Sequence, residues 1–388
     1  MAIRRPDLAI SEYEMDVGKV RINMRLFQNS GLYPSYLPRL NQFAAKASGF
    51  AARRDAFLHD RFGAAHILKP VLDGASEAFF TNGDDEVLQR RWAREQGMKG
   101  TPTLEAILLA QIEHHKTEVF YNLDPVRYPS AFIAKLPGCV KKTLCWRAAP
   151  SGNADLTAYG AVLGNFPSIL EAWRGKGCRA ELFFPAVDPV MEQYGHGERA
   201  IDVAFVGGYT RHHRARGRTL EQVAALAADH KIVLCLDASR LTRLAESAVG
   251  RLLPLRKHRR PDVIARIARL PLFGRDLYEL FGSAKIVLNG AIDMAGNDRG
   301  NMRCFEAMGC GSLLVSDAGS YPQGMQDGVT MRTYDTPERA FEVISGSLQD
   351  WPQSAGIAAF GRRRVQEIYS KAWQWAQFND LVARIEPC

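Results

Sequence analysis

The chain has little of what would identify a metalloenzyme, a hydrolase or a dehydrogenase. Its seven cysteines are scattered without a Cys-x-x-Cys pair, and neither H-E-x-x-H nor D-x-D occurs. The sequence therefore indicates no metal site, because bound zinc and nucleotide-associated divalent ions need closely spaced ligands of this kind. G-x-S-x-G is absent, and the glycines of the first half form no G-x-G-x-x-G. These absences argue against an α/β-hydrolase and an NAD-dependent dehydrogenase.

Long apolar runs are missing as well. No uninterrupted run approaches the roughly 20 residues that span a bilayer, and the N-terminus M-A-I-R-R-P-D lacks the apolar segment of a secretory signal. Scattered cysteines of odd number are typical of a reducing compartment, so we expect a cytoplasmic protein. One dense basic run is either a solvated loop or a peripheral contact with anionic lipid at the inner membrane face; it contains Arg256, Lys257, Arg259 and Arg260.

Length and composition indicate two ordinary globular domains. The chain has 388 residues, of which 46% are hydrophobic and 24% charged, enough for two separate cores. The formal net charge of +8 suits an anionic ligand, a membrane surface or nucleic acid, and it does not choose among them.

Apolar runs alternate with helical stretches along most of the chain. This alternation predicts an α/β fold, with parallel sheets covered by helices on both faces. The predicted strands cover residues 20–27, 118–123, 139–146, 161–164, 180–184, 202–206, 231–236, 284–289 and 312–315. We interpret residues 77–97 as mixed loop and helix, and residues 185–200 as a linker. The expected domains are 1–192 and 193–355, followed by C-terminal helices over 356–388.

Residues 284–315 carry the strongest sign of a ligand site. Strand, polar loop, helix and strand form a parallel crossover unit, and ligands bind such units at the carboxyl end of the first strand. The helix N-terminus around Asn301 and Arg303 suits a phosphate. Glu306, about one turn into the helix, is placed to bind both hydroxyls of a ribose, and Asp298 to reach a sugar beyond the phosphates. Arg303 pairs either with Glu306 or with phosphate.

A second strand–turn–helix unit opens the second half of the chain. Strand 202–206 is followed by Gly207 and Gly208. Six basic residues then crowd the start of the next helix: Arg211, His212, His213, Arg214, Arg216 and Arg218. Cations at a helix N-terminus oppose its dipole, so a bound diphosphate would account for them, with a solvated basic face as the alternative. In the first half, Gly31 follows the first predicted strand, where a glycine lets a ligand approach the backbone closely or simply forms a turn.

Three motifs resemble one family. N-x-R-x-F-E-A-M-G-C-G, at 301–311, is similar to the signature of GT-B glycosyltransferases of the group 1 type, particularly the branch related to spore maturation protein B. F-V-G-x₅-H-x₂-R, which contains Gly207, His213 and Arg216, and Q-I-x₃-K-x-E-V-x-Y-N-x-D-P in the first half resemble the same branch. The resemblance implies a GT-B fold: two Rossmann-like domains face each other across a cleft, and the C-terminal helix returns to the N-terminal domain. It also implies that Tyr278, in a G-x-x-x-Y pattern, lies near the nucleotide base.

The function implied by this resemblance is transfer of a sugar from a nucleotide-diphosphate sugar to a hydroxyl of a glycan, a lipid-linked molecule or a small molecule, as in polysaccharide biosynthesis. The donor is a substrate, and neither a cofactor, a metal nor a nucleic-acid partner is expected. Many retaining members carry two glutamates separated by seven residues; Glu306 matches the second, and Asp298, a shorter acid, falls at the first. An inverting enzyme would need a base from the N-terminal domain, for which Asp124 is the candidate. A nucleotide-sugar 2-epimerase-like enzyme and a non-catalytic GT-B protein that binds nucleotide sugar or polysaccharide are the alternatives.

Overall fold

The fold is described by a computed structural model that covers residues 24–149, 152–209, 214–247, 250, 258–290 and 295–387. Within these residues the chain forms two six-stranded sheets, and every pair of neighbouring strands is parallel. The α/β fold expected from the sequence is confirmed. No helix in the described part of the chain is both long and apolar enough to cross a membrane.

The first sheet belongs to the N-terminal lobe and has the strand order β2-β1-β3-β4-β5-β6. Its strands are β1 (Leu26–Ser30), β2 (Ala78–Asn82), β3 (Val119–Asn122), β4 (Lys142–Trp146), β5 (Ala161–Gly164) and β6 (Ala180–Leu182). Its helices are α1 (Leu37–Phe43), α2 (Gly49–Asp60), α3 (Lys69–Leu72), α4 (Glu86–Glu95), α5 (Leu104–His114), α6 (Ser130–Ile133) and α7 (Pro167–Arg174), with a 3₁₀ turn at Ala64–His66. Because the chain leaves β1 first to one side and then to the other, a crevice forms beyond the carboxyl ends of β1 and β3.

The second sheet belongs to the C-terminal lobe and has the order β12-β11-β10-β7-β8-β9. Its strands are β7 (Ile201–Gly208), β8 (Ile232–Asp237), β9 (Ala268–Arg269), β10 (Ala284–Leu288), β11 (Leu313–Asp317) and β12 (Arg332–Tyr334). The helices that follow β7 are α8 (Arg214–Ala225), α9 (Arg240–Glu246), α10 (Asp262–Ile267), α11 (Gly274–Gly282), α12 (Met302–Gly309), α13 (Pro337–Gln349), α14 (Trp351–Ile368) and α15 (Lys371–Arg384). In this lobe the corresponding crevice lies beyond β7 and β10.

Both faces of each sheet are buried, which explains why the strands are continuous apolar runs. In β1 the neighbouring side chains of Leu26 and Phe27 are 1% and 0% exposed and belong to different clusters on opposite faces. In β10, Ile286 and Val287 divide in the same way. A parallel sheet covered by helices on both sides requires this pattern, because successive side chains point to opposite faces.

Several element bounds differ from the sequence prediction. The first strand was predicted over 20–27, of which residues 20–23 lie outside the described residues; the structure carries it on through Ser30. Residues 28–30 extend it because their backbone pairs with Phe80, Thr81 and Asn82 of β2. The interpretation of 77–97 as loop and helix missed β2, which pairs with β1. Gly207 and Gly208 end a strand paired with β8 and do not form a free turn.

The predicted linker and C-terminal segment also differ in detail. Residues 185–200 contain a 3₁₀ helix, Pro189–Tyr194, whose Met191 is fully buried against Gly309, so this segment is packed. Helix α14 packs on the C-terminal lobe: its Val365 joins that core. Only α15 reaches the N-terminal lobe, where Phe378 lies 5.0 Å from Tyr121 between ring centroids. Of the two C-terminal helices, α15 is therefore the one that returns to the N-terminal lobe.

Candidate active site

The carboxyl edges of the two sheets face each other. Ser35, after β1, donates to the Asp237 carboxylate at the end of β8 (3.3 Å), and the Asn165 amide, after β5, donates to the Gly300 carbonyl (2.6 Å). Between the lobes lies a cavity of about 510 Å³. Its walls come from loops at the carboxyl ends of β1 to β4, from the segment after α2 and from the first residue of α12: Ser30, Gly31, Leu32, Tyr33, Phe62, Gly63, His66, Asp84, Leu123, Asp124, Arg127, Trp146, Arg147, Ala148, Ala149 and Met302. We call this cavity the cleft.

Gly31 and Asp124, both predicted as site residues, meet in the cleft wall. A Cβ atom added to Gly31 would lie 2.9 Å from Oδ2 of Asp124 and 3.3 Å from its Cβ. A larger residue at position 31 would therefore push this carboxylate aside. Because β1 and β3 are adjacent parallel strands, the residues after them are neighbours.

Two carboxylates and an arginine form a charged cluster beside Gly31. Arg127 donates to Asp124 (3.1 Å) and lies 3.8 Å from Asp84. Both oxygens of Asp84 accept from the backbone N–H of Leu32, at 3.1 and 3.0 Å. Burial raises the pKa of Asp84, and the nearby Asp124 adds to this, while the Leu32 hydrogen bonds and Arg127 oppose it. The cluster is held in place before any ligand arrives.

On the C-terminal side, a polar network fixes the start of α12. The Asn301 side chain caps the helix by accepting from the Arg303 N–H (3.1 Å), and its amide donates to Asn289 at the end of β10 (3.2 Å). Asn289 in turn donates to the Ser316 hydroxyl (3.0 Å). The N-terminus of α12 therefore lies near the carboxyl end of β10, and its first residue, Met302, lines the cleft. A helix N-terminus in this position favours a bound anion.

Glu306 is fully covered in this structure. Its side chain is 2% exposed and forms an ion pair with Arg303, one turn earlier on α12. Burial raises the pKa of the Glu306 carboxyl, and Arg303 opposes the rise. Of the two partners predicted for Arg303, the structure shows Glu306. The carboxylate does not line the cleft, so ribose binding by Glu306 stays a prediction that requires Arg303 to turn away.

The basic site after β7 is described only in part. Arg216 crosses the crevice and donates to the Gly290 carbonyl beyond β10 (3.1 Å), beside the carboxyl end of β7 with Gly207 and Gly208. Arg211 and His213 lie outside the described residues, as do Arg256 and Lys257 of the basic run. In the rest of that run, Arg259 pairs with Asp262 and Arg260 with Glu246. These two arginines are neutralised by neighbours within the protein.

Asp298 and Tyr278 take positions other than those expected. Oδ2 of Asp298 accepts from the backbone N–H of Ser168 at the start of α7 (2.7 Å), which joins the two lobes. Tyr278 is 1% exposed, and its hydroxyl faces Asp188 at 3.5 Å. The ring is buried in the C-terminal core, and a contact of Tyr278 with a nucleotide base stays a prediction. A sugar-binding role for Asp298 stays a prediction.

Four charged or imidazole side chains of the cleft were not predicted as site residues: His66, Asp84, Arg127 and Arg147. Asp84 follows β2, so recognising that strand would have placed it at the same sheet edge as Asp124. His66 sits in a short 3₁₀ turn without a sequence motif. Among the described residues, no group of three or more His, Cys, Asp or Glu side chains could hold a metal ion.

Comparisons with known proteins agree with this architecture. Residues 259–380 match the family described as glycosyl transferase-like. No curated protein matches the chain. Among solved structures, Anabaena Alr3699/HepE in complex with UDP and glucose aligns with a TM-score of 0.53 and 13% identity, over 93% of this chain and 100% of that one. Sucrose-phosphate synthase from Thermosynechococcus elongatus aligns with a TM-score of 0.51 and 12% identity, over 92% and 99%.

At such low identities the structural similarity establishes the fold. It is the GT-B fold expected from the sequence, with two parallel sheets facing across a cleft. The family match covers less than a third of the chain and lies in the C-terminal lobe and the helices after it. The matched residues include α12 and its motif. The description of the family gives no narrower branch of glycosyltransferases.

Proposed function

We propose that this chain transfers a sugar from a nucleotide-diphosphate sugar to an acceptor hydroxyl, as a member of the branch related to spore maturation protein B. The observation that carries the proposal is the position of the α12 N-terminus. This helix start, capped by Asn301, faces a cleft whose other wall is the carboxyl edge of the N-terminal sheet. Donor and acceptor substrates would meet between these two walls.

The C-terminal lobe supplies the features that a nucleotide-diphosphate requires. The positive end of α12 follows β10, Arg216 donates to the Gly290 carbonyl beyond β10, and Arg303 lies in the first turn of α12. Fixed cations and helix ends stabilise the negative charge that grows on the leaving diphosphate, so a bound metal is not needed for that step. A diphosphate would also compete with Glu306 for Arg303, and the released carboxylate could then accept hydrogen bonds from a ribose.

The N-terminal lobe supplies the acceptor side. In an inverting reaction Asp124 would accept the proton of the attacking hydroxyl; in a retaining reaction the departing phosphate oxygen could do so. The motif match of Glu306 and Asp298 favours retention. The anomeric configuration of the first-formed product, read by proton NMR, decides between the two outcomes.

The direct test is turnover with a panel of UDP-, GDP- and dTDP-sugars, with and without candidate glycan or lipid-linked acceptors. We expect free nucleoside diphosphate to appear only when an acceptor is present, and to appear equally in EDTA. Release of an altered free sugar would instead indicate a 2-epimerase-like enzyme. If no nucleotide sugar binds or reacts, the proposal is wrong.

One observation favours a second candidate, a non-catalytic protein that binds nucleotide sugar. Asp298, at the position of the first acid of the retaining motif, uses its carboxylate to hold Ser168. Thermal stabilisation by a nucleotide sugar without turnover, with every acceptor tested, would support this candidate.

A further inference from the structure

Helix α9, which follows β8 in the C-terminal lobe, has its large apolar side chains on the outside. Its two buried residues are small: Thr242 is 8% exposed and Ala245 is 0% exposed. Its two leucines face solvent, since Leu241 is 47% exposed and Leu244 is 44% exposed. A surface helix of a globular protein normally buries its large apolar residues against the core. The reversed arrangement of α9 indicates that its leucines meet a partner outside the chain.

Two arginines share this outer face. Arg240 and Arg243 are exposed, and residues three or four positions apart on a helix are neighbours, so Arg240 lies beside Leu244. Neither arginine forms an ion pair within the part of the chain that the structure describes. The acid of α9, Glu246, pairs with Arg260 at 2.6 Å. The outer face of α9 therefore combines leucines with arginines that have no acidic partner among the described residues.

Helix α10 adds the same two kinds of side chain. The ion pair between Arg260 and Glu246 holds the start of α10 beside the end of α9. On α10, Val263 is 39% exposed, and Arg266, three residues later, is exposed and makes no ion pair with a described residue. We call the following exposed side chains the Arg–Leu surface: Arg240, Leu241, Arg243, Leu244, Val263 and Arg266.

The described part of the basic run has a different place from the one expected from the sequence. Arg259 pairs with Asp262 at 3.1 Å, and Arg260 pairs with Glu246. These two arginines neutralise the acids of α9 and α10. The positive charge of the Arg–Leu surface is thus left without a nearby free carboxylate among the described residues, which suits an anionic partner.

The mixture of side chains indicates which anionic partner fits. The cores of protein–protein interfaces are depleted of charged residues, which are found mostly at the rim. On α9, by contrast, arginines and leucines alternate along one short helix face. At a membrane surface this alternation is favourable, because leucines reach the acyl chains while arginines extend their guanidinium groups to the lipid phosphates. Each basic side chain near an anionic leaflet adds to the attraction.

We propose that the Arg–Leu surface binds the face of a bilayer that contains anionic phospholipid, with Leu241 and Leu244 inserted at the interface. The inference is independent of the proposed function, because none of these residues lines the cleft. Asp237, three residues before α9, accepts from Ser35 of the other lobe, so attachment through α9 would hold the junction of the two lobes close to the lipid.

The test measures sedimentation of the full chain with vesicles. One set of vesicles is phosphatidylcholine alone, and the other is phosphatidylcholine and phosphatidylglycerol in equal parts. We expect binding to the mixed vesicles that is at least about tenfold tighter than binding to phosphatidylcholine. Equal binding to both sets of vesicles, or binding to neither, overturns the proposal.

Variants then locate the contact. The double variant Arg240→Gln/Arg243→Gln should weaken binding to the mixed vesicles about tenfold, because it removes two charges that face the lipid phosphates. Leu241→Ser should weaken it about threefold, because it removes an inserted apolar side chain. All three side chains are exposed, so thermal unfolding of the variants should match that of the wild type.

Matched controls exclude effects of net charge and of surface hydrophobicity. Leu182→Ser removes a leucine of nearly the same exposed fraction (45%) from β6 of the other lobe. Arg94→Gln/Arg363→Gln changes the net charge by the same amount, through exposed arginines of α4 and α14. Both controls should bind the mixed vesicles as the wild type does. Equal losses in the controls and in the α9 variants overturn the proposal, because binding would then not depend on this surface.

Comparison of the two α9 variants distinguishes a membrane from another polyanion. If the arginine variant loses binding and Leu241→Ser does not, the chain adsorbs to negative charge without insertion. The membrane assignment is then wrong, and an acidic polymer or protein is the better partner for these arginines. A loss in both variants, with both controls unchanged, supports the proposal.

Discussion

Asp298 of the C-terminal lobe accepts a hydrogen bond from the backbone N–H of Ser168 in the N-terminal lobe, at 2.7 Å. Ser168 is in the first turn of α7, so the carboxylate lies at the positive end of that helix. The Ser168 hydroxyl donates to the Ala295 carbonyl (3.1 Å), and the Asn165 amide donates to the Gly300 carbonyl (2.6 Å). The loop before α12 is thus joined to the N-terminal lobe by three hydrogen bonds.

Replacing Asp298 separates this structural contact from a chemical role. Asp298→Ala should lower the free energy of unfolding by about 1 kcal/mol, because it removes a side chain that caps a helix start. Asp298→Asn keeps an oxygen that can accept from Ser168 and should lose much less. Denaturant unfolding of the two variants measures this difference.

Turnover of the same pair tests the predicted sugar contact. If Asp298 also binds the donor sugar as a carboxylate, Asp298→Asn will be stable but slow. If Asp298→Asn retains both stability and turnover, the sugar-binding prediction is wrong and the residue acts only in joining the lobes.

Gly31→Ala should displace Asp124 with little cost to the fold. The new Cβ would approach the carboxylate at 2.9 Å, and a side chain can swing away more cheaply than backbone. We expect a loss of stability below about 1 kcal/mol and a clear loss of turnover, if Asp124 contacts the acceptor. Gly138→Ala, where nothing lies within 4 Å of the added carbon, is the control for the methyl group itself. A variant with wild-type turnover would argue against Asp124.

Removing Arg303 should expose the cost of burying Glu306. Arg303→Met leaves the carboxylate 2% exposed and without its cation. We expect the free energy of unfolding to fall by about 2–3 kcal/mol at pH 8. This is below the range for a fully buried pair because Arg303 is 23% exposed. The pKa of Glu306 is already raised by burial, and it should rise further in the variant. Because the pKa of Glu306 is raised in the folded state, the folded protein loses stability as pH rises through that pKa. The stability of the variant should therefore be closer to that of the wild type at about pH 5 than at about pH 8.

Glu306→Gln tests the same pair from the other side. It leaves Arg303 able to reach solvent, so its loss of stability should be smaller, and because burial raises the pKa of Glu306 in the wild type the loss should shrink as pH rises. Equal losses for Arg303→Met at pH 5 and pH 8, measured by urea unfolding, would show that the carboxylate is not the origin of the penalty. Lower affinity of Glu306→Gln than of the wild type for the nucleotide sugar that the wild type binds would support the ribose contact.

The parts of this protein that could be predicted from sequence are those encoded in consecutive residues. Strand β5 was placed at its observed bounds, because its apolar run is buried on both faces of the sheet. Gly31 and Asp124 were each predicted to follow a strand, and the structure makes them neighbours because those two strands are adjacent and parallel. Strand β2 was missed because A-F-F-T-N is a short apolar run that does not alternate, and only its pairing with β1 identifies it.

The parts that could not be predicted depend on contacts between distant segments. Nothing local in the sequence says that Asp298 meets Ser168, which lies 130 residues earlier in the chain. The position of His66 depends on Lys371, over 300 residues later in the chain. Such contacts appear only when the two lobes and the returning helix are assembled.

The final prediction concerns Lys371, which is 4% exposed and donates to backbone carbonyls and to Gln374 (2.9 Å). Burial lowers its pKa to about 7, which Asp188 partly opposes and Arg61 reinforces. A pKa depressed from the ordinary 10.5 means that the unfolded chain binds more protons between pH 7 and 10.5. The wild type should therefore gain stability as pH rises above 7 and lose it again as pH falls back towards 7.

Lys371→Met isolates this effect from other titrating groups. The variant leaves the carbonyls of the 64–67 turn without their donor and should be less stable than the wild type at every pH. The gap between the two should widen from pH 7 to pH 9 by about 2 kcal/mol, because only the wild type gains from deprotonation. Lys142→Met, which removes a half-buried lysine bonded to one carbonyl, that of Val382 (2.7 Å), is the control and should lose less. A gap between the wild type and Lys371→Met that stays constant or narrows over this range, in urea unfolding at fixed ionic strength, would mean that the buried amine keeps its ordinary proton affinity.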